Sequence, residues 1–180
     1  MPKDFIASLK NLPRTGWLLR GVPPSVAETV AEHSFEAAII SLLISSNIKE
    51  NNKNIDPLKA ISLTLVHDIA EAFIGDIVKA FSNKIGSIKE KIEAEIVDEE
   101  CHISVLSRLF KEYIEGKTIE AIVAKISDLL ATYLQGMRYR AQGYNVEEIA
   151  YNSLKKALEL AKKYDIEDEV KRVLELFKND

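Results

Sequence analysis

The residues best placed to do chemistry in this chain are histidines and carboxylates that interrupt apolar helical stripes. The sequence holds 3 histidines. One of them, His67, directly precedes Asp68 inside an otherwise apolar segment. Burying an ionised carboxylate without a partner costs on the order of several kcal/mol, so Asp68 has to be paired, hydrogen-bonded or bound to a cation. Glu71 follows Asp68 by three positions and His67 by four, which on a helix brings all three toward one side, and Asp76 lies just beyond Gly75. His33 interrupts a second apolar face and Asp128 a third, in Lys125-Ile126-Ser127-Asp128-Leu129-Leu130. Three helices packed side by side could gather His33, His67, Asp68 and Asp128 around one divalent cation, as two imidazoles and two carboxylates. Mixed nitrogen and oxygen donors favour Mn²⁺, Fe²⁺, Co²⁺, Ni²⁺ or Zn²⁺ over the oxygen-seeking Mg²⁺ and Ca²⁺, with Mg²⁺ kept as a further candidate.

Each of these residues also has a plain structural reading. A lone histidine on an apolar face is commonly a satisfied core residue. Glu71 could be an ordinary helix charge, and Asp76 could cap a short helix starting at Ile77. Trp17 could pin its loop to the core or pack its flat face on a sugar or base, while Arg14 and Arg20 could be solvated charges. The distribution of His, His-Asp and Asp over three segments, with Glu71 and Asp76 close behind, favours ligation over the separate structural readings. Cys101 and His102 are read as structural, because neighbours on a helix point about 100° apart. The acidic runs Glu93 to Glu100 and Glu167 to Glu169 read as solvated helix faces. Tyr139 and Tyr144, near Arg138 and Arg140, read as a packed or exposed helix end, with a partner surface as the alternative. No Gly-rich dinucleotide loop, P-loop or zinc-knuckle spacing is present.

The elements that must position these groups are helical throughout. Apolar residues recur at three- and four-residue intervals, β-type alternation is missing, and only 7 Gly and 5 Pro punctuate the chain. The expectation is an all-α, single-domain bundle of about seven helical segments. A short helix through Phe5 and Leu9 ends before Pro13, and Arg14 to Pro24 is a loop. Thr29-Val30-Ala31-Glu32 spells a capping box that opens a helix running to about Ile48. Asn51 to Asn54 is a polar loop. Asp56 and Pro57 supply an N-cap and an N1 proline for a helix that carries His67, Asp68 and Glu71 and breaks near Gly75. Ile85 to Glu115 reads as one long charged helix ended by Gly116. A helix opened by Lys117 or Thr118 passes Asp128 and stops at Gly143, and amphipathic helices of about Val146 to Lys163 and Asp168 to Lys178 close the bundle.

Composition sets the outer limits. The 180 residues are close to one domain, and 47% hydrophobic with 29% charged residues is a folded, globular balance rather than a disordered one. A domain of this size buries roughly 70% of the surface its unfolded chain exposes, so it needs no metal or disulfide merely to fold. The net charge of −4 disfavours non-specific adhesion to nucleic acid or anionic membrane. The single cysteine cannot form an intramolecular disulfide, and the start Met1-Pro2-Lys3-Asp4 lacks a secretory apolar stretch, so the expected compartment is the cytoplasm. The longest apolar run, Ala37 to Ile44, is far short of the ~20 residues that span a bilayer.

The stretches Pro13-Arg14-Thr15-Gly16-Trp17-Leu18-Leu19-Arg20, Val30-Ala31-Glu32-His33-Ser34 and His67-Asp68-Ile69-Ala70-Glu71-Ala72-Phe73-Ile74-Gly75-Asp76-Ile77, with Asp128 beyond them, resemble the HD-domain metal-dependent phosphohydrolases. Within that superfamily the chain is most similar to the 5'-deoxynucleotidases of the YfbR type. The resemblance implies one HD domain over 1–180, with a metal-site core of about 25–140 and closing helices of about 145–178. It implies that His33, His67, Asp68 and Asp128 bind the metal and that Glu71 acts on the attacking water. Asp76 would contact the sugar or orient the water. Trp17 with Arg14, or Arg20 as second choice, would hold the nucleotide. The implied reaction is metal-dependent hydrolysis of deoxyribonucleoside 5'-monophosphates to deoxynucleoside and phosphate, by a homodimer with no polynucleotide or membrane partner. Two rival readings are an HD phosphohydrolase acting on another phosphate ester, such as a cyclic or dinucleotide phosphodiester, and a non-catalytic nucleotide-binding or dimerisation module.

Overall fold

Four of the described helices begin where a side chain beside their start accepts from their first amides. In the computed structural model, which describes residues 4–51, 53–78 and 84–177, the elements are α1 (Phe5–Asn11), α2 (Thr15–Leu18), α3 (Val30–Glu50), α4 (Pro57–Val66), α5 (Glu71–Ile74), α6 (Ser87–Ile96), a π-helical turn (Val97–Cys101), α7 (Ser104–Glu115), α8 (Ile119–Ala141), α9 (Glu147–Lys163) and α10 (Glu167–Leu176). Residues 1–3, Asn52 of the polar loop and the expected helix end at Lys178 lie outside the described residues. Thr29 and Glu32 form the full capping box of α3, Asp56 caps α4 ahead of Pro57, and Thr118 caps α8. Among the described residues no strand forms, and an isolated bridge joins Pro13 to Thr29.

The 23-residue α8 is the spine, packed against α3, α4, α7 and α9. Ile40, Ile44 and Ile48 of α3 meet Ile122, Ile126 and Leu130 of α8, and Ala157, Ala161, Val170 and Val173 close the core from α9 and α10. Each fully buried Ile or Leu contributes roughly 1.5–3 kcal/mol of transfer free energy. Small residues permit the close approach of α8 and α9. A Cβ on Gly136 would lie 2.8 Å from the Ala150 Cβ and 3.3 Å from the Trp17 ring.

Several boundaries differ from the sequence expectation, each for a tertiary reason. The expected loop of Arg14 to Pro24 contains the short helix α2, whose first amide, that of Thr15, is capped by the distant Asp76 carboxylate rather than by a local side chain. The helix expected to carry His67 to Glu71 stops at Val66. The Thr64 carbonyl, which would accept from the Asp68 amide in a continuing helix, takes the His67 ring nitrogen instead at 2.6 Å. The next amides, those of Ile69 and Glu71, bond three residues back to Val66 and Asp68, so the doublet sits on a tight turn. The expected long helix of Ile85 to Glu115 breaks at the π-helical turn and at His102, whose φ is 52°. That break folds α7 back so that Phe110 packs with Val97, Cys101, Ile69 and Ala70.

The acidic runs are not wholly solvated. Glu93 is 8% exposed and pairs with Lys89 at 2.9 Å, and Glu169 is 3% exposed and accepts from Asn51 at 2.9 Å. Tyr139 is buried, donating to the Val26 carbonyl and accepting from the Glu28 amide, so it is core rather than partner surface.

Candidate metal centre and active site

Three helical segments bring their interrupting residues to one point, as the packing of α3, α4 and α8 requires. His33 lies one turn into α3, His67 and Asp68 follow the end of α4, and Asp128 lies midway along α8. His33 Nε2 is 3.0 Å from Asp128 Oδ1, which is 3.8 Å from His67 Nε2. His67 Nε2 is 3.0 Å from Asp68 Oδ2, and the two imidazole rings stand 5.4 Å apart. One donor atom from each of His33, His67 and Asp68 lies within 4.8 Å of the others, and Asp128 borders the group through both histidines.

The donor chemistry fits a divalent transition ion. His67 donates its Nδ1 proton to the Thr64 carbonyl, which turns Nε2 toward the carboxylates; burial lowers the His67 pKa, but Asp68 and Asp128 raise it overall. That Nε2 is buried and has no hydrogen-bond partner, with Asp68 Oδ2 3.0 Å away as a charge partner. Both carboxylates are anions. Burial favours the neutral form of Asp68, but His67 and Arg14 outweigh it and hold the group far below the usual carboxylate range. Burial opposes Asp128 in the same way, and the hydrogen bond and charges of His33 and His67 bring it to about 2. Orphaned imidazole nitrogen and paired anions of this kind suit an ion held at roughly 2.0–2.2 Å by nitrogen and oxygen.

Around this group the other expected residues take distinct positions. Glu71 opens α5 within three residues of Asp68, is buried, and has an Oε2 without a partner. Burial and the adjacent Asp68 charge hold its pKa well above the ordinary Glu value. Arg14 Nη1 donates to Asp68 Oδ2 at 2.6 Å. Its burial lowers its pKa, but Asp68, Glu71, Asp128 and Asp76 more than compensate, so the guanidinium stays charged. Asp76 follows Gly75, whose φ of 81° turns the chain out of α5 in a conformation that suits glycine. The Asp76 carboxylate and carbonyl accept from the Thr15 amide and hydroxyl, so Asp76 anchors the Arg14 segment, and the Ile77 and Val78 that follow it are not helical. Arg20 stands further out and pairs with Glu148 at 2.6 Å. Trp17 is 2% exposed, donates its indole proton to Glu28 at 2.7 Å and sets its edge against Tyr139, so it anchors the wall and offers no open face for stacking.

These groups border one cavity of about 830 Å³, which also reaches Lys89, Glu93, Tyr113, Lys125 and the α9 residues Asn152 and Lys156. That volume suits a nucleotide-sized ligand. Sequence reasoning missed Tyr113, whose ring lies 5.6 Å from His67, and Lys125, whose ammonium donates to the Ile114 carbonyl one turn before Asp128. It missed Glu28 as well, which stands 3.9 Å from His33 Nδ1. Periodicity could have placed Lys125 on the Asp128 face, but Tyr113 and Glu28 arrive through tertiary packing.

The sequence matches the HD domain family over residues 6–168. It is 30% identical over 152 residues to the 5'-deoxynucleotidase HDDC2 of Dictyostelium discoideum, covering 77% of this chain and 76% of that protein. It is 31% identical over 141 residues to the 5'-deoxynucleotidase HDDC2 of Homo sapiens, covering 75% of this chain and 65% of that one. The structure superposes on a conserved hypothetical protein from Pyrococcus furiosus with a TM-score of 0.79 at 34% identity, over 93% of this chain and 96% of the other.

Proposed function

The chain belongs to the HD domain family, and on that premise we propose that it is a metal-dependent 5'-deoxynucleotidase, converting deoxyribonucleoside 5'-monophosphates and water to deoxynucleoside and phosphate. The observation that carries the reading is the buried Nε2 of His67, without a hydrogen-bond partner, facing His33, Asp68 and Asp128 at a nucleotide-sized cavity that also holds the partnerless Oε2 of Glu71 and a charged Arg14. His33, His67, Asp68 and Asp128 would hold the ion. When bound, such an ion makes water a better nucleophile and draws charge from the phosphoryl oxygens.

The chain's own residues do the rest. The raised proton affinity of Glu71 suits it to take the proton from the attacking water, a role that typically contributes 10²- to 10⁴-fold. Arg14 binds the phosphate through charge-assisted hydrogen bonds, and Asp76 fixes the segment from which it reaches in. Arg20 and Lys156 at the rim add positive charge for an anionic ester. Trp17 contributes the wall that holds the cavity in shape.

The reading extends to setting and assembly. The metal-site core is about 25–140, followed by closing C-terminal helices of about 145–178, and the ion is Mn²⁺, Co²⁺, Fe²⁺, Ni²⁺ or Zn²⁺ ahead of Mg²⁺. The protein works in the cytoplasm, where no polynucleotide is its partner, and it pairs with a second copy of itself. Among the described residues no helix is long and apolar enough to cross a membrane.

The test is phosphate release by metal-stripped protein given Mn²⁺, Co²⁺, Mg²⁺ or Zn²⁺ with deoxy- and ribonucleoside monophosphates, cyclic nucleotides and an aryl phosphate. Release from the deoxynucleotides above all others supports the proposal. Turnover of cyclic or dinucleotide esters alone replaces the substrate, and nucleotide binding with no turnover on any substrate replaces the enzyme with a binding module.

A further inference from the structure

His33 and His67 are the two imidazoles of the site, and they differ in how their far nitrogens are served. His67 places Nδ1 on the Thr64 carbonyl at 2.6 Å. His33 is 0% exposed, turns Nε2 toward Asp128, and leaves Nδ1 buried with no hydrogen-bond partner. An imidazole that gives Nε2 to a metal carries its proton on Nδ1, and an N–H left bare in a dry interior is costly.

The carboxylate that faces this nitrogen belongs to Glu28, whose Oε1 lies 3.9 Å away. Glu28 is buried and its main chain is fixed on both sides. Its amide donates to the Tyr139 hydroxyl at 2.7 Å, and its carbonyl accepts from the Arg14 amide at 2.9 Å. Its Oε1 also accepts the indole proton of Trp17 at 2.7 Å. A side-chain movement of about 1 Å brings the carboxylate to hydrogen-bonding distance of His33 Nδ1. A charged acceptor there both sets the tautomer and raises the basicity of the ligating nitrogen.

We infer that Glu28 is a positioning residue: its carboxylate holds the Nδ1 proton of His33 so that Nε2 faces the metal, and its contacts with Trp17 and Arg14 join the phosphate-binding segment to that ligand. The inference rests on the reading of His33 as a metal ligand. It makes Trp17, the single tryptophan of the chain, a reporter of metal occupancy although it is no ligand itself.

The experiment uses metal-stripped, ¹⁵N-labelled full-length protein titrated with Zn²⁺, which is diamagnetic, followed by calorimetry and by proton–nitrogen NMR of the imidazole and indole nitrogens. In the wild type the His33 Nδ1 proton emerges as a strongly downfield signal as Zn²⁺ fills the site, and the Trp17 indole resonance shifts in step. Glu28→Gln keeps the size of the side chain but removes its charge. It weakens the Zn²⁺ Kd by roughly 10- to 100-fold and moves the His33 proton upfield. A Glu28→Gln protein with wild-type Kd and an unmoved His33 signal overturns the inference. Should that variant fail to fold, the wild type decides alone, because saturating Zn²⁺ that leaves the Trp17 indole unshifted, or a His33 bound through Nδ1, overturns it equally. Wild-type protein whose histidine nitrogens ignore Zn²⁺ altogether overturns the metal reading first, and is distinguished from the other failures by the absent calorimetric signal.

Discussion

Replacing Glu71 by Gln separates its catalytic role from its structural cost. The carboxyl is 5% exposed, one of its oxygens has no partner, and Asp68 lies three residues away as an anion. A general base of this kind contributes about 10²- to 10⁴-fold, so Glu71→Gln should lower kcat by that factor, equivalent to roughly 2.7–5.4 kcal/mol at 1.36 kcal/mol per decade. The Kd for Mn²⁺ and the KM for nucleotide should stay within about threefold, because neither the four ligands nor Arg14 changes. The same variant reads the electrostatics independently of turnover. In the metal-stripped protein the Glu71 pKa is held well above its unfolded value by burial and by Asp68. Its contribution to stability is therefore full below pH about 4.5 and is lost as pH rises through the folded pKa, since the unfolded chain releases the proton first. Wild type should lose stability relative to Glu71→Gln across that window, and the melting-temperature difference between the two should widen with pH. A variant that keeps more than a tenth of wild-type kcat refutes the assignment of the base. A melting difference that does not change with pH refutes the electrostatic reasoning behind it.

Three further outcomes follow from the geometry. Mn²⁺ at one hundred times its Kd should stabilise the protein by about 2.7 kcal/mol, a rise in Tm of roughly 5 to 11 °C for a chain of this length, and His67→Ala should abolish the shift in a thermal melt. Asp76→Ala removes the cap on the Thr15 amide and should cost about 0.5–2 kcal/mol. It should raise KM while metal affinity holds, and an unchanged KM would refute its anchoring of the Arg14 segment. Gly136→Val introduces a Cβ that meets Ala150 at 2.8 Å and Trp17 at 3.3 Å, and denaturant unfolding should show a loss of about 1–3 kcal/mol from overpacking between α8 and α9.

The helices whose starts depend on neighbouring residues were legible from the chain alone. Thr29 with Glu32, Asp56 with Pro57 and Thr118 each cap the helix their spelling implies. Boundaries set by distant partners were not. The end of α4 at Val66 depends on the His67 ring competing for the Thr64 carbonyl, and the break between α6 and α7 depends on Phe110 finding Val97 and Cys101. The acidic runs misled because charge composition describes the average helix face, whereas Glu93 and Glu169 are buried through specific cations and amides, Lys89 for one and Asn51 for the other.

The candidate site divides along the same line. His33, His67, Asp68 and Asp128 stood out because ionisable groups in apolar stripes are costly to bury, so each demands a partner wherever the chain goes. That demand is a property of residue type and period, and the sequence carries it. That His33 turns Nε2 to Asp128, that Asp76 reaches back to Thr15, and that Trp17 spends its indole on Glu28 depend on atoms up to 95 positions apart meeting within hydrogen-bonding distance. Local spacing has no term for such meetings; only the packing of α3, α4 and α8 around one point, with α2 drawn in against them, creates them.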